Sequence, residues 1–266
     1  MSGVAEKAGM DKMQETMGRQ SALLIDAHNH VGGPDISDKK SQSGSEIIKA
    51  LDSTNVDRAV IFPFNNPDPS LGFKFANDYI ADVVSDYPDQ LIGFGRVDPT
   101  NVDRALKEVE RLSTDLGLVG LKLHPRAQQF YPDDGGLHKV LTKASKLGLV
   151  VVFDSGSDFA PWSGMAEMAK QFSEVPMIMA HMRKAGYIEA AKSASNIYLG
   201  TTKVQPELIV EAVQQIGADR IISGSDSPYV SIQAEYDKIM SLNQLSVGEK
   251  DQILGLNMAR ILNIDK

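Results

Sequence analysis

Short apolar runs alternate with helical stripes along nearly the whole chain, and this alternation does most to narrow what the chain can become. The runs are Leu23–Ile25, Ala59–Phe64, Leu91–Val97, Leu118–Leu123, Leu149–Phe153, Pro176–Ala180, Asn196–Thr201 and Arg220–Ser223. Their starts lie roughly 20–35 residues apart, the length of one strand-plus-helix unit. Near-continuous runs such as Leu149-Val150-Val151-Val152-Phe153 suit parallel strands covered on both faces. Between them Val102, Ala105, Leu106, Val109 and Leu112 make one helical stripe, and Leu137, Val140, Leu141, Ala144 and Leu147 another, closed by Gly148. Similar patterns run through 46–54, 71–86, 162–173, 185–195, 205–216 and 232–241, with a helical tail over 246–263.

Strict alternation of eight strands and eight helices predicts an α/β fold of the (β/α)8 TIM-barrel type, in a single domain spanning 21–266. A doubly wound sheet would call for a glycine-rich phosphate turn after an early strand, and Gly32-Gly33-Pro34 is not one. Residues 1–20 read as a polar arm or short helix without chemistry of their own. With 266 residues and a net charge of −8, the chain offers no basic surface for nucleic acid or an anionic membrane. No apolar stretch matches a membrane span and nothing reads as a signal peptide, so a cytoplasmic protein is expected. The absence of cysteine leaves His, Asp and Glu as the ligands for any metal.

In such barrels the active site forms at the C-terminal ends of the strands. Strand 1 leads into His28 and His30, two positions apart and therefore on one side. Strand 4 leads into Lys122 and His124, strand 5 into Asp154, strand 6 into His181 and Arg183, strand 7 into Lys203, and strand 8 into Asp226. Taken singly, each has a structural use: a loop anchor, a satisfied core histidine, a turn cap. Four of five histidines on one rim point instead to a functional site. The fifth, His138, sits beside Leu137 on a helix and is expected on the solvated face. Lys122, His124, Arg126 and Arg183 are cationic or able to become so, and suggest a small substrate bearing carboxylate. The loops Val31–Ser45, Asn65–Phe75 and Arg126–Gly136 are expected to roof the pocket.

Five stretches carry a family resemblance: Ile25-Asp26-Ala27-His28-Asn29-His30, Gly120-Leu121-Lys122-Leu123-His124-Pro125, Met179-Ala180-His181, Gly224-Ser225-Asp226-Ser227-Pro228 and Gly255–Leu262. Together they resemble the metal-dependent amidohydrolase superfamily, in the amidohydrolase-related branch that also holds aminocarboxymuconate-semialdehyde-type decarboxylases. The resemblance covers roughly 23–263. It implies one divalent metal held by His28, His30, a strand-5 residue and Asp226, with zinc the expected ion and manganese the alternative. It gives His181 a role in contacting substrate or polarising the scissile bond. At the strand-5 position, where the family has histidine, this chain has Asp154, a competent ligand but a shorter one.

The leading expectation is hydrolysis of an ester, lactone or amide, with Asp226 as general base then acid and His181 stabilising the oxyanion. Decarboxylation of an unsaturated or aromatic acid is the alternative. A metal-free lactonase, or a barrel that only binds a small molecule, is a third reading that Asp154 keeps open. Barrels of this kind often dimerise, which leaves a homodimer open.

Overall fold

A computed structural model describes residues 22–264; the arm assigned to residues 1–20 lies outside them. Among the described residues eight parallel strands run in sequence order: β1 (Ile25–Val31), β2 (Arg58–Pro63), β3 (Leu91–Arg96), β4 (Gly120–Leu123), β5 (Val150–Phe153), β6 (Met177–Met179), β7 (Ile197–Gly200) and β8 (Ile221–Ile222). The sheet curls back on itself. Beyond β8, Ala27 N–H donates to Ser223 O, Asp226 N–H to His28 O and His30 N–H to Ser227 O. The TIM barrel expected from the alternation is the fold that forms.

Two apolar layers result from the period-2 alternation of the strands. Ile25, Ala27, Val60, Phe62, Ile92, Phe94, Val150, Val152 and Ile178 fill the barrel interior. Leu121, Leu123, Val151, Phe153, Met177 and Met179 face outward into the larger core beneath the helices. Those helices follow their sequence stripes: Val102–Thr114 buries Ala105, Val109 and Leu112, and Gly135–Lys146 buries Leu137, Val140, Leu141 and Ala144. Gly148 takes φ +66 just past the second of these, the left-handed turn that the helix end requires.

On β1 the alternation is interrupted. Ile25 and Ala27 point into the barrel, yet His28 and His30 also reach its interior. The pairing with β2 slips between Asp26 and Asn29, a bulge that changes which side the later residues face. Asn29 then turns to the wall, where its amide donates to Asp26 O and Val60 O.

Two details differ from the sequence reading. Pro125 opens a one-turn helix (Pro125–Gln128) where a loop was expected. His138 is not free on a solvated face: Nε2 sits 2.9 Å from Pro132 O, and the ring packs edge-on against Phe172. No helix among the described residues is long and apolar enough to cross a membrane.

Candidate active site

At the C-terminal mouth of the barrel lies a cavity of about 180 Å³ lined by His28, His30, Arg96, Lys122, His124, Asp154, His181, Arg183, Lys203 and Asp226, with Asp35 and Tyr229 at its edge. Its residues fall into two groups.

The first group is His28, His30 and Asp226. Nε2 of His28 and of His30 lie 3.3 and 3.1 Å from one oxygen, Asp226 Oδ1. Each residue offers a ligand atom within 4.8 Å of the others, and all three are buried. Edge-on contact with Phe62 fixes both rings. Asp26 ties the strand carrying the histidines to the one carrying the carboxylate: its Oδ1 accepts from His28 N–H and Ser225 N–H. Burial pushes the Asp26 carboxyl up to about 6. Asp226 itself adopts φ +71, a left-handed conformation that costs a non-glycine residue about 1–3 kcal/mol and recurs at functional sites. Gly224 is needed beneath it, because a Cβ there would stand 2.6 Å from His28 Cβ.

Burial, then the neighbouring Lys122 ammonium, holds His28 well below the ordinary imidazole range; burial lowers His30 as well. Both rings are therefore neutral near pH 7, the form that binds metal. Burial alone would raise Asp226, but hydrogen bonds from the two histidines outweigh it and keep the carboxyl far below its usual range. Lys203 Nζ pairs with its other oxygen at 2.6 Å. Two neutral imidazoles and one carboxylate, converging and buried, fit one divalent ion.

Asp154 organises the second group. His181 Nε2 approaches its Oδ2 at 3.0 Å, Arg183 Nη1 contacts both of its oxygens at 3.1 and 3.3 Å, and His124 Nε2 stands 3.7 Å away. Burial opposes ionisation here, yet the His181 hydrogen bond and the charges around it hold the carboxyl far below the normal range. The opposite nitrogen of His181, Nδ1, is 2.9 Å from Thr202 O, which can only accept. With an acceptor at each nitrogen, the doubly protonated ring satisfies both contacts. Ser155 fixes its backbone from both sides, donating to His181 O and accepting from His181 N–H.

The expected site residues are thus distributed unevenly. His28, His30 and Asp226 meet as one ligand group. Asp154, expected to be the fourth ligand, is not part of that group among the described residues; its oxygens are taken up by His181 and Arg183. Lys122 is buried 3.3 Å from His28 Nε2, and burial lowers it to about 7. His124 lines the cavity while its Nδ1 accepts from Ala127 N–H at the start of the one-turn helix; burial lowers it to about 4. Arg126 does not reach the cavity: the turn begun by Pro125 carries it to the exposed face.

Lys203, read from the sequence at the end of strand 7 but given no role there, joins the lining. Tyr229, whose ring lies 4.4 Å from the Lys203 ammonium, was not singled out and comes from a loop without a recognisable pattern. Arg96 had a legible signal, an arginine inside the apolar run Leu91–Val97, in step with the inward-facing Ile92 and Phe94.

A parallel barrel with a His-His-Asp group and a cationic cavity at its mouth defines the class: a (β/α)8 barrel with a candidate site for a divalent ion. The amidohydrolase family profile matches residues 25–264, and the chain belongs to that family. A stretch of 78 residues is 31% identical to 2-amino-3-carboxymuconate-6-semialdehyde decarboxylase of Dictyostelium discoideum, covering 29% of this chain and 22% of that relative. The crystal structure of 5-carboxyvanillate decarboxylase from Sphingomonas paucimobilis superposes with TM-score 0.76 at 17% identity, over 92% of this chain and all of that one. Dihydroxybenzoic acid decarboxylase from Polaromonas sp. JS666, solved with manganese and 2-nitroresorcinol, gives 0.74 at 14% identity, over 91% and 97% of the two chains.

These likenesses correct the expectation of a hydrolase. The curated relative and both solved neighbours are named as decarboxylases, which favours the alternative chemistry over ester, lactone or amide hydrolysis.

Proposed function

We propose that this protein is a metal-dependent decarboxylase of a small unsaturated or aromatic acid. The observation that carries the reading is the convergence of His28, His30 and Asp226 in a cavity whose remaining wall is rich in cations. Support for decarboxylation in particular comes from the 78-residue likeness to a decarboxylase. At about 180 Å³ the cavity suits a single small acid, below the roughly 300 Å³ at which drug-sized pockets begin.

His28, His30 and Asp226 would hold a divalent ion, manganese in our reading, which would supply Lewis acidity toward a substrate oxygen. Lys122 and Arg183 attract the substrate carboxylate into the cavity. His181 holds the proton to be transferred, and Asp154 keeps it there by pairing with the charged ring. That proton passes from the His181–Asp154 pair to the substrate carbon bearing the carboxylate, using a π electron pair of the substrate for the new C–H bond. The bond from that carbon to the carboxylate then breaks, its electron pair restores the π system, and CO₂ departs. One proton from solvent recharges His181. Asp226, held ionised by its two histidines, remains a ligand.

The test is CO₂ evolution from manganese-loaded protein supplied with ortho-hydroxybenzoates, carboxylated methoxyphenols and dienoic acids. Release from at least one of these, abolished by chelation and restored by Mn²⁺, is expected. Failure of the whole panel while esters or lactones turn over would overturn the reading.

A further inference from the structure

Arg96 is the largest fully buried side chain among the described residues, and all three of its guanidinium nitrogens lack a hydrogen-bond partner. It closes β3 on the inward face and lines the same cavity as the His-His-Asp group. Beside it in register on β4 stands Lys122, also fully buried. Among the described residues neither cation makes an ion pair with a carboxylate, although Asp35, Asp154 and Asp226 line the same cavity. Those acids are committed elsewhere: Asp35 to Ser37 and the Asn65 N–H, Asp154 to His181 and Arg183, Asp226 to His28, His30 and Lys203. Phe73 covers the guanidinium from one side, its ring centroid 5.6 Å from Cζ. The Arg96 backbone is clamped independently, since Asn77 accepts from its N–H and donates to its C=O.

A buried guanidinium with no hydrogen-bond acceptor is costly; the Phe73 ring and the charges of Asp35 and Asp154 act on it without supplying one. An arginine of this kind, beside a lysine on the neighbouring strand and aimed into a cavity, is complementary to an anion. The arginine fork in particular suits a carboxylate or phenolate oxygen pair. We propose that Arg96 forms a second anion site in this cavity, beyond the Lys122 side chain that adjoins the His-His-Asp group, and that Arg96 selects acids carrying two anionic groups. One anionic group of such a substrate lies at the His-His-Asp end and the other on Arg96. The proposal rests on the decarboxylase reading for which end reacts, but not for binding itself.

Binding without turnover separates the two. Manganese-loaded protein is titrated calorimetrically with phthalate, isophthalate and terephthalate, which vary the spacing of two carboxylates, and with benzoate as the single-carboxylate reference. Wild type is expected to bind at least one diacid ten-fold or more tighter than benzoate. In Arg96→Met that preference disappears while benzoate affinity stays within three-fold, and Arg96→Lys recovers part of it. Thermal unfolding adds a readout that a structural arginine would move the other way: Arg96→Met is expected to melt at or above the wild-type temperature. Equal affinity for all four probes in wild type, a diacid preference that survives Arg96→Met, or a large drop in its melting temperature overturns the proposal. A diacid preference without CO₂ release from any acid would leave the anion site standing and remove the decarboxylase.

Discussion

Replacing Asp154 by asparagine removes the charge around which half the cavity is arranged. Three cationic or polarisable partners lose it, and they do not count equally. Arg183 has a side chain 47% exposed, so its pair with Asp154 is screened and worth at most about 1 kcal/mol. His124 stands at 3.7 Å, beyond hydrogen-bond reach. His181 is buried with Asp154 at 3.0 Å, and a hydrogen bond between charged groups in such a place contributes about 1.5–3 kcal/mol. If His181 delivers its proton in the slow step, this loss lowers kcat by about 10- to 150-fold. KM changes less, because the loosened Arg183 still reaches the cavity. Manganese affinity is expected to stay as in wild type, since the His-His-Asp group does not include Asp154. Steady-state kinetics and metal analysis on the same preparation read both quantities. A variant with kcat within three-fold of wild type would refute the role given to His181; one that has lost its metal would make Asp154 a ligand after all.

Two further perturbations test other parts of the structure. In Gly224→Ala the new Cβ stands 2.6 Å from His28 Cβ and 3.0 Å from Thr202 Oγ1, so His28 must yield. Overpacking of this kind costs about 1–3 kcal/mol, and displacing a ligand lowers metal affinity by about ten-fold or more; denaturant unfolding and Mn²⁺ titration check the two effects. Burial raises Glu235 from its ordinary value to about 7, against the opposing pull of Lys238 at 2.7 Å. Between pH 4.5 and 7 the folded protein therefore holds a proton that the unfolded chain has released, and stability falls as pH rises through that window. Glu235→Gln should flatten this slope in urea melts taken at several pH values; an unchanged slope would assign it to another group.

The barrel was legible because its physics is periodic. Val150 and Val152 facing in while Val151 and Phe153 face out is written directly in a run of five apolar residues. The histidine pair was legible for the same reason, since two histidines at i and i+2 share a side whichever way the strand faces. What periodicity could not reveal was the bulge at Asp26–Asn29 that turns that side inward. Asp154 showed the limit more sharply. Its position at the end of β5 was plain, but whether its carboxylate joins two histidines on β1 or a histidine after β6 depends on loop paths that sequence spacing does not encode. Arg126 was misplaced because a proline-initiated helical turn reverses the direction of the next side chain. Arg96 was missed although its parity with Ile92 and Phe94 marked it as inward; a charge inside an apolar strand is a signal that composition alone smooths over.

The central claim is that His28, His30 and Asp226 hold one divalent ion on which CO₂ release depends. Electron paramagnetic resonance of Mn²⁺ titrated into metal-stripped wild type and His30→Ala, with CO₂ evolution followed in the same samples, addresses it most directly. One tightly bound equivalent in wild type, CO₂ release that rises in proportion to it, and loss of both in His30→Ala are expected. Unchanged Mn²⁺ binding in His30→Ala, or CO₂ release that is indifferent to bound metal, would contradict that claim.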